Sequence, residues 1–158
     1  MTVAPVSTEL RRPVGILYEH PECFKPLFAE LDRRGVPYEA IEAGRLRYDP
    51  AVTELPYSFV LNRMSPSSWQ RGNGTALFST LDYLRYLEDI GVPVVNGSEA
   101  YGFEISKARQ LRLSAKLGVA HPKARVINHP GGAIAAAEGL TYPVLVKPNI
   151  GGSGAGIV

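Results

Sequence analysis

Val144-Leu145-Val146-Lys147-Pro148-Asn149-Ile150-Gly151-Gly152-Ser153-Gly154-Ala155-Gly156-Ile157 is the stretch on which the fold turns. Three apolar residues lead to a lysine and a proline, then to a loop holding four glycines, then back to apolar character. Glycine tolerates positive φ and, having no Cβ, lets backbone N–H groups approach an anion closely, so such a loop can cradle phosphate. A lysine at its mouth adds a point charge for the same phosphates. The apolar lead-in predicts a strand over residues 142–147 that delivers Lys147 to the loop. Two familiar glycine fingerprints fail. Gly151 to Gly156 has the spacing of a Walker A loop, but Ile157 stands where its lysine is required. Gly-x-Gly-x-x-Gly fails as well, because Ile157 follows Gly154 by three. Composition alone also allows a simple glycine turn between two strands.

Working outward, the upstream chain alternates short apolar runs with helical periodicity. Strands are expected at residues 14–18, 38–43, 58–61 and 93–95. Between the first two, Phe24, Leu27, Phe28 and Leu31 fall at i, i+3, i+4 and i+7, which predicts a helix over 22–34 stopped by Gly35. Residues 44–57 read as a connection and 62–74 as a polar loop. Leu77, Leu81, Leu84 and Leu87 mark a further helix closed by Gly91. Alternation at this spacing argues for an α/β layer with a mostly parallel sheet, its right-handed crossovers placing the loops after each strand on one edge. A boundary is expected near 97–104. Beyond it come a helix over 106–117 capped by Gly118, a strand at 125–128 and a short alanine-rich helix at 130–139.

With 45% hydrophobic and 20% charged residues among 158, the composition is that of a globular chain able to bury a sizeable core. A formal charge of +2, with scattered basic residues, gives no support to nucleic acid or an anionic membrane as partner. No apolar run has the length of a signal segment or a membrane span, and the single Cys23 permits no internal disulfide, so a cytoplasmic setting is expected. Cys23 reads as a small packing residue. His20, His121 and His129 share no spacing and do not compose a metal site. Asn73-Gly74-Thr75 and Asn96-Gly97-Ser98 read as Asn-Gly turns, and Trp69, Tyr83 and Tyr86 as packing residues.

The order of the upstream signals resembles the ATP-grasp superfamily. Ser106-Lys107-Ala108-Arg109 places a lysine at a helix start; Leu117-Gly118 and Pro122 follow, then Gly139-Leu140-Thr141-Tyr142-Pro143-Val144-Leu145-Val146-Lys147-Pro148, then the glycine loop. Even Gly91-Val92-Pro93-Val94-Val95-Asn96-Gly97 is similar to the segment closing a pre-ATP-grasp domain. The likeness spans residues 14 to 158 and is greatest to glutathione-synthetase and RimK-type glutamate ligases. It implies a small Rossmann-like parallel sheet (pre-ATP-grasp, 13–99) followed by a partial α+β ATP-grasp lobe (100–158).

By this resemblance, Lys107 and Lys147 contact ATP phosphates, and Gly151, Gly152, Ser153, Gly154 and Gly156 form the mobile loop that folds over them. Arg63, just past a strand end, contacts a carboxylate substrate, although an arginine pointing to water is the alternative there. Lys107 alone would otherwise read as a solvated helix-surface lysine. Family members use ATP and Mg2+ to convert a carboxylate to an acyl phosphate that an amine then attacks. Adenine-recognising and Mg2+-holding residues of the family have no match in these residues, so catalytic residues are not assigned and the chain is expected to be inactive alone, the truncated front portion of a ligase. The alternatives are a stand-alone nucleotide- or phosphate-binding module, and one half of a split ligase needing a C-terminal partner chain. A homo-oligomer is compatible with all three.

Overall fold

The structure, a computed structural model, describes residues 12–158. Five consecutive residues with no charge, Val14–Tyr18, form β1, buried along its whole length. That continuous burial requires partners on both sides, and β1 pairs in parallel with β2 (Tyr38–Glu42) and β3 (Phe59–Asn62). β3 in turn pairs with the short β4 (Val94–Val95), giving the order β2-β1-β3-β4. The expected α/β layer with a parallel sheet is therefore present, its strands within a residue or two of the predicted bounds.

One face of the sheet carries Leu17, Ile41 and Val60, on which α2 (Gly74–Asp89) lays Leu77, Leu84 and Leu87, all fully buried. Leu81 packs at the margin. Gly15 sits within this face because a Cβ there would stand 2.9 Å from Val60 Cγ2 and 3.1 Å from Ile41 Cδ1. The other face takes α1 (Pro21–Arg33), whose Phe24 and Phe28 pack around Tyr18 while Phe28 stacks on Tyr38 at 5.2 Å between centroids. The four apolar residues of α1 are only half-buried.

Residues 97–104, expected to be a boundary, include helix α3 (Ser98–Glu104). Its Tyr101 is fully buried in the core around α2, donating to the Leu77 carbonyl at 3.3 Å. The Asn96-Gly97 turn is present: Asn96 has φ 57°, donates to the Asn62 carbonyl at 3.1 Å, and accepts from Asn62 Nδ2 at 2.9 Å. This reciprocal clasp holds the ends of β3 and β4 together although β4 has two residues.

Beyond α4 (Lys107–Lys116), closed by Gly118 at φ 68°, only the short α5 (Ala133–Ala137) with a preceding 3-10 turn is regular. The strands expected at 125–128 and 142–147 do not form. A strand needs a neighbour for its backbone groups. Among the described residues the sole ladder-like exchange there is between Val146 and Val158, at 2.8 and 3.0 Å. Val126, Tyr142 and Leu145 are left more than two-thirds exposed.

Candidate phosphate-binding site

In a parallel sheet the loops following the strands converge on the carboxyl edge, where ligands of open α/β folds bind. Here that edge gathers Glu19 and His20 after β1, Arg63 after β3, and the 3-10 turn Pro66–Arg71. The glycine loop reaches this edge from the far end of the chain. Gln70 Nε2 donates to the Gly152 carbonyl at 2.9 Å, and a Cβ on Gly152 would stand 2.5 Å from Ser67 Oγ. A larger residue at 152 would have to turn the Ser67 hydroxyl aside.

Lys107, the first residue of α4, turns onto the same loop: its Nζ donates to the Gly151 carbonyl at 2.9 Å and its backbone N–H to the Asn149 carbonyl at 3.1 Å. Removal from water lowers the Lys107 ammonium from its ordinary pKa, and the neighbouring Lys147 charge lowers it further. Lys147 itself is exposed, two residues before Asn149. Among the described residues no carboxylate pairs with either lysine. A lysine on the glycine loop, with a second lysine charge near it and no acidic partner for either, makes this edge complementary to an anion.

The loop backbone is left-handed at Ser153 (φ 53°), Gly154 (φ 74°) and Gly156 (φ 69°), with Gly151 at φ 140°. Ser153 is the one non-glycine residue of this run in that region, and its side chain is exposed. Ile150 anchors the loop by packing against the core.

Arg63 is exposed, its backbone N–H pairs with the Leu17 carbonyl at 2.8 Å, and loss of hydration raises the Glu104 carboxyl, an effect the Arg63 charge partly offsets. Among the described residues no hydrogen bond joins the Arg63 side chain to Lys107 or to the loop.

Sequence reasoning missed two features. Asn149 and Gln70 hold the loop, and they do so over separations as long as 82 residues. Glu19 is buried at the end of β1, accepting from Arg71 and from Asn73 Nδ2 at 2.7 Å. The Arg71 hydrogen bonds hold its carboxyl below the ordinary range. A glutamate ending an uncharged strand was the available signal. Among the described residues no three His, Cys, Asp or Glu side chains gather into a cluster that could hold a metal ion. Nor is any helix among them long and apolar enough to cross a membrane.

No protein-family model matches the chain, and no curated protein matches it. Among solved structures, 14 chains match. One is a RimK domain ATP-grasp protein from Sphaerobacter thermophilus DSM 20745, with a TM-score of 0.67 at 20% identity over 92% of this chain. Likeness at that identity establishes the fold: this chain follows the backbone of an ATP-grasp protein over nearly its whole length. It spans about half of that neighbour, 52%.

Proposed function

We propose that this chain is the front portion of an ATP-grasp carboxylate–amine ligase and that it carries the site gripping ATP phosphates. The observation that carries the reading is the Lys107 ammonium on the Gly151 carbonyl at 2.9 Å, with the Lys147 charge near enough to lower its pKa and, among the described residues, no carboxylate paired with either lysine. The fold shared with the RimK domain ATP-grasp protein supports the same conclusion.

ATP, when bound, supplies the phosphoryl group that activates a carboxylate for attack by an amine. Lys107 and Lys147 neutralise phosphate oxygens, and loop amides exposed by the left-handed backbone donate to them. Lys107 must exchange its contact with the Gly151 carbonyl for a phosphate oxygen, which frees the loop to close and exclude water. These residues hold no Mg2+ themselves, and the chain alone is inactive; the metal ligands and the adenine pocket come from further polypeptide. Arg63 is a candidate contact for the substrate carboxylate.

The test is calorimetric titration of ATP into the wild type and into Lys107→Ala and Lys147→Ala. Each substitution removes a charge-assisted hydrogen bond and is expected to weaken binding about 10- to 100-fold. Equal affinity in all three proteins would sink the proposal.

One observation favours a second reading, that the remaining half is a separate partner chain. Val126, Tyr142, Leu145 and Val158 leave apolar surface without a strand beside it. A stoichiometric complex formed by the native protein would establish it, and ATP binding would then strengthen in the complex.

A further inference from the structure

We infer that Asn149 is a positioning residue: it fastens the glycine loop to the start of α4 and so holds Lys107 and Lys147 in one site. The first amides of a helix have no partner within it. In α4 all three leading amides are taken by protein groups. The Lys107 N–H donates to the Asn149 carbonyl at 3.1 Å, and the Ala108 N–H to Asn149 Oδ1 at 2.9 Å. The Arg109 N–H donates to Ser106 Oγ at 3.3 Å, a hydroxyl that also accepts from Asn149 Nδ2 at 3.3 Å. One residue, 41 positions beyond Ala108, thus caps the helix with its backbone and with both ends of its side-chain amide.

Two consequences follow for the site. The start of α4 is filled by Asn149, so an anion is left to the two ammonium groups and the loop amides rather than to the helix end. The two lysines, 40 positions apart in the chain by their numbers (147 minus 107), are also fixed relative to each other. Lys107 is tied to the loop by its own N–H and by Nζ, and Lys147 lies two residues before Asn149. Bringing two like charges together is unfavourable, and the hydrogen bonds of Asn149 offset it. The side chain must both accept and donate at this reach. Aspartate keeps the acceptor for Ala108, with the Ser106 hydroxyl able to donate to it, whereas alanine keeps neither.

The test follows the titration of the Lys107 and Lys147 side chains by NMR in the 158-residue protein. Lys147→Gln removes the neighbouring charge and is expected to raise the Lys107 titration point in the wild-type and Asn149→Asp backgrounds. In the Asn149→Ala background that rise falls to less than about half, and exchange of the Ala108 amide quickens about tenfold or more. A mere helix cap would alter the exchange and leave the coupling between lysines intact. An undiminished rise in Asn149→Ala overturns the proposal; Asn149→Ser, too short to span to Ala108, answers the same question should Asn149→Ala fail to fold. The consequence for nucleotide rests on the function proposed above: Asn149→Ala weakens ATP binding about tenfold with both lysines present, and Asn149→Asp weakens it less. A wild type that binds no ATP removes the functional proposal, while the coupling between the lysines still decides this one.

Discussion

Glu19 shows how a single side chain at a sheet edge can be held charged inside the protein. Its carboxylate is nearly inaccessible and is satisfied by Arg71 and Asn73, both beyond β3 in sequence. Arg71→Met leaves that charge with Asn73 alone. Because Arg71 is itself about one-third exposed, the cost is set below the roughly 3–5 kcal/mol of a fully buried pair, at about 2 kcal/mol by urea denaturation. The pH dependence has a definite sign. Arg71 hydrogen bonding lowers the folded-state pKa of Glu19, so its contribution is fully present above the unfolded value of about 4.3 and fades as pH falls through the folded value. The stability gap between wild type and Glu19→Gln is therefore expected to shrink between pH 7 and pH 3, and a constant gap would contradict the assignment. At this scale the structure joins Lys107 to Gly151, and the sequence offered both, with Lys147 and the other loop glycines, through the order of their motifs. It did not disclose Asn149, Gln70 or Glu19, whose roles arise from contacts 41 to 82 residues long.

Elements divide by whether their stabilising partners lie within the described chain. Leu84 lies on a helical apolar stripe and Leu145 in an apolar run, yet Leu84 is fully buried under the sheet and Leu145 is 76% exposed. Leu84→Ala is expected to cost about 2–5 kcal/mol, and Leu145→Ala to stay within about 0.5 kcal/mol of wild type. Comparable losses at both positions would mean that the 142–147 segment is packed. Hydrogen exchange makes the same division: amides of β1, β3 and α2 exchange slowest, while residues 119–128 and 141–148 exchange fast. α1, α2 and α4 were legible because their periodicity is local, and the Leu77, Leu84, Leu87 stripe of α2 needed no knowledge of its neighbour, whereas the seven-residue α3 is too short to show such a stripe. β1 to β4 were legible because their partners are present. The apolar runs at 125–128 and 142–147 were misread as strands because pairing is a property of two segments, and a sequence window shows one.

At the scale of the molecule, an α/β layer and a glycine loop from the chain's other end are joined at the carboxyl edge of the sheet. The joint consists of Gln70 on Gly152, Lys107 on Gly151 and Asn149 on α4. The fold resembles that of the RimK domain ATP-grasp protein over about half of that neighbour's length, 52%, and the candidate site proposed in it is cationic and glycine-lined. Affinity is therefore expected to follow the phosphates. The most direct measurement is a calorimetric comparison of inorganic triphosphate, ATP and adenosine on the wild-type chain. The account predicts that triphosphate and ATP bind with affinities within about tenfold of each other and that adenosine binds at least about 100-fold more weakly. Adenosine binding as tightly as ATP, or no binding of triphosphate, would contradict it.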